Sequence, residues 1–471
     1  MDNSLSLSTV HFFKTSSYNT KSIDKNKDKN KRNKNNIFNI FKRSSSTDLI
    51  QQKNKKKIKI ASFENSTNEI FVQKVIQNLK DSLDLAEKNS DFYWLADNRK
   101  PIRPTGQNRK DLEKHLRTIK SNDQKFPFVA IRFKRKISDK NKTRETNIGI
   151  VDLIEGNVVK IIKKIKVVGQ GGYSKVYSYI GDEELDDSFY ALKLTRTREK
   201  KGLIPKEKKE ETELEFIRDI SMLKFLHKNK VPSIQPAPQY TFTLLRGQSK
   251  GGKDEASKLG SLGILYSGDA APSRKTFDRK AWGTENLVES LKNIALSLFS
   301  CHSLNVYHGD VKPHNILRSD KHNTFHLADM GGTCLIGTNG LPLQFSHTPM
   351  FTHINDYKEL TRQSENNDKK GYCFIKSKMD VFSFGATCYQ ILTGNMPYPF
   401  NRGEHITEAP FAKNLLIEEI DKSLHLKSKT SFKKRKEIAS KIGALIHKMV
   451  DIDYKKRPNM EEAVEELSKI F

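Results

Sequence analysis

Four side chains that could act on a phosphate group occur close together in the C-terminal half of the chain. They are Asp310, Lys312, Asn315 and Asp329. A carboxylate can orient an attacking hydroxyl and a lysine can face the phosphoryl group, while an amide and a second carboxylate offer the hard oxygen ligands that Mg²⁺ prefers. The order acid, lysine, asparagine, acid therefore predicts phosphoryl transfer from Mg-ATP to a hydroxyl group.

The surrounding sequence resembles the catalytic loop and the metal-binding loop of eukaryotic-type protein kinases. It reads Y-H-G-D-V-K-P-H-N-I-L from Tyr307 to Leu317, and Asp329-Met330-Gly331 follows. The resemblance implies that Asp310 is the catalytic base and that Lys312 stabilises charge on the phosphoryl group, with Asn315 and Asp329 as metal ligands. A lysine at position 312 resembles serine/threonine kinases. The implied cofactors are ATP and Mg²⁺, with Mn²⁺ as an alternative metal.

A glycine-rich segment upstream is the expected phosphate-binding turn. The positions assigned to it are Gly169, Gln170, Gly171, Gly172, Tyr173, Ser174 and Val176. Apolar, strand-like residues on both sides predict a hairpin over the phosphates, whereas a dinucleotide fold would place a helix after the glycines. A plain glycine-rich turn is the alternative. Ser174 stands where the family has its third glycine.

The next predicted strand ends in Ala191-Leu192-Lys193. By resemblance, Ala191 belongs to the nucleotide site and Lys193 pairs with the α- and β-phosphates. A carboxylate on the following helix is expected to hold this lysine in place. Asp219 occupies the matching position, where the family has glutamate, so we also assign it to the nucleotide site. Glu215, one helical turn earlier, and the absence of such a pair are the alternatives.

Two positions bear on the substrate and on regulation. Thr348, in His-Thr-Pro, resembles a residue that lines the protein-substrate site, and we expect it to contact Asp310 and Lys312; a routine turn is the alternative. Gly309 replaces an arginine that, in many kinases, binds a phosphate on the activation loop. We therefore expect activity that does not need phosphorylation of that loop.

Three further residues resemble structural positions of the family. Asp380 matches a buried helix aspartate that anchors the catalytic loop. Arg457 matches an arginine that pairs with the glutamate of an Ala-Pro-Glu segment, which this chain lacks, and Asp356 is the nearest replacement acid. The adenine base is expected to bond to backbone groups near residues 267–269, without a fixed register.

Composition limits the other classes of protein. The chain has 471 residues and a formal net charge of +28, and residues 1–60 alone contain 15 Lys or Arg and four Asp. Such a basic tail favours anionic lipid, nucleic acid or acidic protein surfaces as partners, and a solvated disordered tail is the alternative. The four cysteines form no C-x-x-C pair, which indicates a reduced compartment. The sequence contains no stretch of about 20 uninterrupted apolar residues, so it predicts no transmembrane segment.

The sequence predicts three regions. Residues 1–62 form a disordered, basic, low-complexity tail; residues 63–155 form a small mixed α/β extension of unknown role, with a helix over 68–88 and a strand over 126–133. Residues 156–471 form the kinase-like domain. The expected fold class is α+β, a bilobal protein-kinase-like fold with a small β-rich N-lobe (about 156–266) and a mainly helical C-lobe (about 270–471).

Three functions compete. The first is an ATP-dependent serine/threonine protein kinase that acts on protein hydroxyls. The second is a pseudokinase scaffold, supported by Asp219, Ser174 and the missing Ala-Pro-Glu. The third is a nucleic-acid or acidic-membrane binder that acts through the basic tail. The expected location is cytoplasmic, with the nucleus as the alternative that the tail suggests and the host cytosol if the protein is a secreted bacterial effector.

Overall fold

The computed structural model of the protein describes residues 92–95, 101–102, 126–135, 145–152, 157–163, 166–170, 174–180, 189–195, 198–199, 202–203, 206–244, 258–271, 279–335, 347–401, 403–425 and 431–470. The predicted disordered tail and the predicted helix over 68–88 lie outside these residues. The described chain forms a β-rich unit (up to residue 216, with 238–265) and a mainly helical unit (217–237, with 266–470). This division confirms the expected bilobal α+β class.

The β-rich unit contains twelve strands among the described residues. They are β1 (Phe92–Leu95), β2 (Pro101–Ile102), β3 (Phe128–Arg135), β4 (Glu145–Asp152), β5 (Val158–Lys163), β6 (Lys166–Gln170), β7 (Ser174–Ile180), β8 (Phe189–Thr195), β9 (Arg198–Glu199), β10 (Gly202–Leu203), β11 (Tyr240–Leu244) and β12 (Lys258–Ile264). Ten of them form one sheet in the order β2-β1-β3-β11-β12-β8-β7-β6, with β4 pairing both β3 and β5. Strands β9 and β10 pair separately.

The sheet joins the extension before residue 156 to the kinase-like part of the chain. The strand predicted over 126–133 is confirmed as β3, which pairs in parallel with β11 through Phe128 and Phe242. It also pairs antiparallel with β4 along its whole length. The extension therefore supplies strands to the same sheet that contains Lys193.

One apolar face of this sheet forms the core of the β-rich unit. Its buried side chains are Ala130, Ile148, Ile150, Ile162, Leu192, Leu194, Phe242, Leu244 and Leu262. In β4, β8 and β11 they recur at every second residue, as side chains on one face of a strand must. The core requires a glycine at position 260, because a Cβ there would lie 2.7 Å from Phe242 Cζ and 2.8 Å from Leu194 Cδ2.

The helical unit is built from long helices and short strands. The helices are α1 (Lys206–Lys228), which belongs to this unit from Ile217 onward, α2 (Arg279–Ser303), α3 (Ile354–Glu365), α4 (Lys369–Thr393), α5 (Lys413–His425), α6 (Phe432–Met449) and α7 (Met460–Ser468). The strands are β13 (Gly268–Asp269), β14 (Val306–Tyr307), β15 (Ile316–Ser319), β16 (Thr324–Leu327) and β17 (Cys334–Leu335). No helix in the described part of the chain combines the length and the apolar character that a membrane span needs.

Helix α4 is the central element of the helical unit. It begins after Asp368, whose side chain accepts a bond from the Gly371 amide, and it ends at Gly394, whose φ of 95° is a conformation that favours glycine. Most of its side chains are buried. Gly385 permits close packing of α4 against α6, because a Cβ there would meet Met449 Cβ at 2.7 Å. This helix carries Asp380 into the interior.

Candidate active site

Asp310 lies at the centre of a polar network in the helical unit. Lys312 Nζ donates to Asp310 Oδ2 at 2.6 Å, and the Thr348 hydroxyl donates to Asp310 Oδ1 at 2.5 Å. Lys312 Nζ also donates to Thr348 Oγ1 at 2.8 Å. The predicted contacts of Thr348 with Asp310 and Lys312 are therefore confirmed. The side chains of Asp310 and Lys312 remain 13% and 22% exposed, so the network is open to an incoming group.

Asn315 joins this network from the 3₁₀ turn Pro313–Asn315. Its Nδ2 donates to the Asp310 carbonyl oxygen at 2.8 Å and to Asp310 Oδ2 at 3.1 Å. The side-chain nitrogen of Asn315 therefore faces Asp310, and its side-chain oxygen points away from Asp310. An oxygen in that place fits a hard metal ion such as Mg²⁺.

A buried carboxylate on α4 positions the catalytic loop. Asp380 Oδ2 accepts from the His308 amide at 2.9 Å, and Oδ1 accepts from the Gly309 amide at 2.7 Å. His302 Nε2, at the end of α2, lies 3.0 Å from Asp380 Oδ2. Burial alone would raise the pKa of Asp380, but the hydrogen bond and charge of His302, with the charge of Lys376, hold it below its ordinary value. The anchoring role predicted for Asp380 is confirmed.

Gly309 has a backbone conformation that favours glycine. Its φ is 78°, in the left-handed region that a Cβ destabilises. An arginine at this position would adopt that conformation at a cost. Glycine therefore removes a guanidinium group and also relieves local strain.

His308 connects the catalytic loop to the chain just before Asp329. Its Nε2 lies 3.0 Å from the Ala328 carbonyl oxygen, and its Nδ1 accepts from the Asp310 amide at 3.3 Å. A carbonyl can only accept, so the Nε2–H tautomer satisfies both contacts. Sequence reasoning gave His308 no role, although its place two residues before the acid was visible.

Asp329 adopts a strained backbone conformation, with φ 64° and ψ 63°. Non-glycine residues in this region cost free energy and persist only where their surroundings hold them. The amide of the next residue, Met330, donates to Asp219 Oδ1 at 2.8 Å. Met330 and Asp219 are both buried. Arg218 Nη1 approaches the Gly331 carbonyl oxygen at 3.4 Å. Asp219 is thus a main-chain anchor for the Asp329 segment, which the sequence did not predict.

The β-rich unit contains the residues assigned to phosphate binding. Strands β6 and β7 pair antiparallel, as the predicted hairpin requires, with Gly169 opposite Val176 and Gln170 opposite Lys175. Ser174 starts β7, whereas residues 171–173, Gly171, Gly172 and Tyr173, lie outside the described residues. Val176 is directly opposite Lys193 of β8. Ala191, two residues before Lys193, lies opposite Gly263 of β12.

Backbone groups of residues 267–269 form hydrogen bonds within the helical unit. The Ser267 amide donates to the Arg318 carbonyl oxygen at 3.0 Å, and β13 pairs with β15. Arg318 is almost fully buried, donates to the Asp269 carbonyl oxygen at 3.1 Å and pairs with both oxygens of Asp320. The Ser267 amide is therefore occupied by the Arg318 carbonyl oxygen, and the expectation that adenine bonds to backbone groups near residues 267–269 stays a prediction.

A buried ion pair replaces the missing Ala-Pro-Glu contact. Arg457 Nη1 and Nη2 donate to the two oxygens of Asp356 at 2.6 and 3.2 Å, and both side chains are fully buried. Arg457 also donates to the carbonyl oxygens of Lys378 and Asp451, at 3.1 and 2.7 Å. The prediction that Asp356 is the replacement acid is confirmed.

Comparison with known proteins identifies the family to which these residues belong. The family model described as protein kinase domain matches residues 162–467. The chain is 29% identical over 179 residues to the probable serine/threonine-protein kinase ireA of Dictyostelium discoideum, covering 37% of this chain and 15% of that protein. It is 26% identical over 183 residues to cyclin-dependent kinase B2-1 of Arabidopsis thaliana, covering 38% and 52% respectively. The chain thus spans about half or less of these curated relatives.

Proposed function

The chain belongs to the protein kinase family, and from this premise we propose that it is an active serine/threonine kinase. The family uses ATP with a divalent metal and acts on proteins. We propose Mg²⁺ as the metal and serine or threonine hydroxyls as the acceptors. The observation that carries the proposal is the network in which Asp310 accepts a bond from a threonine hydroxyl while Lys312 contacts both groups.

In the proposed reaction, Asp310 orients the acceptor hydroxyl and takes its proton. The hydroxyl oxygen forms a bond to the γ-phosphorus of ATP, the bond from that phosphorus to the β–γ bridging oxygen breaks, and ADP leaves. The bond from Thr348 supports this role, because a hydroxyl of the same kind already donates to Asp310 Oδ1. The ammonium group of Lys312 balances negative charge beside the transferred group.

Asn315 and Asp329 would hold the metal ion, which neutralises charge on the phosphates when bound. The amide oxygen of Asn315 and the carboxylate of Asp329 are ligands of the right type. Asp219 supports this assignment through its bond to the Met330 amide, which fixes the backbone next to Asp329. We propose that Asp219 is chiefly a positioning residue for Asp329. Pairing with Lys193, and the alternative pairing of Lys193 with Glu215, remain proposals.

The remaining assignments concern the nucleotide. We propose that the hairpin of β6 and β7 covers the triphosphate and that Lys193 pairs with its α- and β-phosphates. The direct pairing of Val176 with Lys193 supports a shared surface for these residues. The basic tail, residues 1–62, is proposed to contact anionic lipid, nucleic acid or acidic protein. Such binding should weaken steeply with salt and should be lost on deletion of the tail.

Gly309 carries a proposal about regulation. Because the chain lacks a guanidinium group there, activity should not depend on a phosphate on the activation loop. Phosphatase treatment of the pure, active protein should therefore leave turnover unchanged. Loss of turnover after this treatment would show that the proposal is wrong.

The test of the proposed function is phosphorylation of a generic basic protein with Mg-ATP. The variants are Asp310→Ala and Asp329→Ala, and the matched control is Glu365→Ala, which replaces an exposed acid at the end of α3. The wild type and the control should label serine or threonine, while the two variants should lose about 10²-fold or more in rate. Equal label in all four would eliminate the kinase proposal. Nucleotide binding without label in the wild type would favour the pseudokinase.

A further inference from the structure

Two imidazole rings face each other beside the catalytic network. His347 Nε2 lies 2.8 Å from His405 Nε2, and the rings are nearly parallel, with centroids 5.0 Å apart and an interplanar angle of 20°. His347 directly precedes Thr348, whereas His405 belongs to the segment between α4 and α5. The ring of Tyr357, on α3, packs against both, at 5.0 and 4.9 Å. None of the proposed catalytic steps uses this pair.

Backbone bonds hold the two histidine-bearing segments together. The Ile354 amide donates to the Ile406 carbonyl oxygen at 2.9 Å, and the Ile406 amide donates to the Thr352 carbonyl oxygen at 3.1 Å. His353 and Ile406 form a parallel bridge. The Tyr398 hydroxyl, buried nearby, donates to the Met350 carbonyl oxygen at 3.0 Å. Because both sides are fixed, the two imidazoles are brought together in advance of any ligand.

The facing nitrogens can hold one shared proton but not two. A hydrogen bond between them requires that one nitrogen donate and the other accept, so at least one ring presents a lone pair. Burial lowers the pKa of His405, which favours its neutral form. A neutral imidazole nitrogen is a preferred ligand of Zn²⁺ and of similar divalent transition metals.

The geometry points to a second cation site, in which His347 Nε2 and His405 Nε2 bind a borderline-soft divalent transition metal such as Zn²⁺. With metal–nitrogen bonds of about 2.0–2.1 Å and tetrahedral angles, the two nitrogens would stand about 3.3 Å apart. The observed separation of 2.8 Å is about 0.5 Å shorter than this, so the two rings must move apart by that amount and turn until both Nε2 lone pairs point at one ion. The described residues contain no group of three or more side chains suited to a metal, so water would complete the coordination.

Metal at this site would act on the substrate segment. Thr348, the neighbour of His347, bonds to both Asp310 and Lys312. A metal bridge to His405 would fix the segment in one position and hinder an acceptor hydroxyl from reaching Asp310. The predicted consequence is inhibition by zinc, and this consequence, unlike the binding itself, rests on the proposed kinase function.

The binding is tested by calorimetric titration of the full chain with Zn²⁺ in a buffer without chelators. The variants are His347→Gln and His405→Gln, and the control is His322→Gln, which replaces an exposed histidine outside the pair. The wild type and the control should show a zinc site that weakens by at least about tenfold in either variant of the pair. His405→Cys should retain zinc binding, because a thiolate replaces the lost ligand. Thermal melts of all variants establish that they fold.

Two results would overturn the proposal. One is zinc binding that is the same in the wild type and in both folded glutamine variants, and the other is a wild type that binds no zinc. Binding should also weaken in acid, because a protonated imidazole nitrogen has no lone pair for a metal. A parallel phosphorylation assay separates the two proposals, since a chain that binds zinc through the pair but never labels protein refutes only the kinase function.

Discussion

The two units of the molecule fix their functional residues in different ways. In the β-rich unit, Lys193 lies in β8, which is paired on both sides by β7 and β12 and backed by one apolar core. In the helical unit, Asp310 depends on a few buried polar bonds, above all those that Asp380 accepts from His308 and Gly309. Strand pairing spreads stabilisation over many bonds, whereas a buried carboxylate concentrates it in a few. Single polar substitutions should therefore be most damaging in the helical unit.

The largest expected loss of stability follows from breaking the Asp356–Arg457 pair. Replacing Arg457 by Met leaves the Asp356 carboxylate buried without its bidentate partner, and it should lower the free energy of unfolding by about 3–5 kcal/mol. Chemical denaturation measures the change. The double variant Arg457→Met with Asp356→Leu is the control, and it should recover part of the loss because no lone charge remains. A double variant no better than the single one would contradict this account.

A slightly smaller loss is expected for Asp380→Asn. The amide keeps the shape of the carboxylate, but it can accept from only one of the two backbone amides of His308 and Gly309, so about 3 kcal/mol should be lost. Hydrogen–deuterium exchange should increase first in the catalytic loop, because that loop loses its anchor. Exchange that rises equally in the β-rich unit would weaken the contrast between the units.

The same residue predicts a dependence of stability on acid. The folded pKa of Asp380 lies below its ordinary value, so its stabilising contribution is fully present above the unfolded pKa of about 3.9 and is lost as pH falls through the folded pKa. The stability difference between the wild type and Asp380→Asn should therefore shrink as the pH falls below about 4. A difference that stays constant into strong acid would show that the carboxylate is not charged in the fold.

In the β-rich unit, the most sensitive position should be an apolar one. Gly260→Ala places a Cβ against Phe242 and Leu194, and it should cost about 1–3 kcal/mol through overpacking. Gly263→Ala is a matched control on the same strand, since its Cβ would meet Pro238 at an ordinary 3.6 Å. Denaturation midpoints compare the two. Equal losses of stability in the two variants would mean that Phe242 and Leu194 move aside for the added Cβ, which would contradict the close packing of this core.

The smallest expected effect is that of Gly309→Ala. A Cβ in the left-handed region costs about 1 kcal/mol. Gly283→Ala provides the reference, because Gly283 has a φ of 72° and its Cβ would meet nothing within 4 Å. Gly283→Ala should lose at least as much stability, because a ψ of 164° places Gly283 in a region that is essentially restricted to glycine, while a fall in phosphorylation rate is expected only for Gly309→Ala. A lower phosphorylation rate in Gly283→Ala would show that backbone strain outside the catalytic loop also impairs catalysis.

The contrast also explains how much the sequence could predict. The contacts of Asp310 with Lys312 and Thr348 lie within motifs of fixed spacing, and family resemblance predicted the Asp356–Arg457 pair and the anchoring role of Asp380. The bond from Met330 to Asp219 was not, because a backbone amide has the same donor in every residue and leaves no trace in the sequence. His308 was missed for a similar reason, since its partner is a carbonyl oxygen.

The parallel pairing of β3 with β11 was equally hidden. The alternating apolar residues predict a strand over 126–133, but they do not specify which sheet edge it joins. The two strands are far apart along the chain, and no turn residues connect them directly. Sequence patterns describe each strand, whereas the choice of neighbour depends on the core that both strands bury.

The most direct test of the central claim is the rate of phosphoryl transfer by the full chain carrying Asp310→Asn. The amide keeps the size of the side chain, and chemical denaturation checks that the variant folds. The account predicts that the rate to serine or threonine falls by about 10²–10⁴-fold, while ATP binding changes little and the variant remains folded. A rate equal to that of the wild type, measured beside the Glu365→Gln control, would contradict the assignment of Asp310 as the catalytic base.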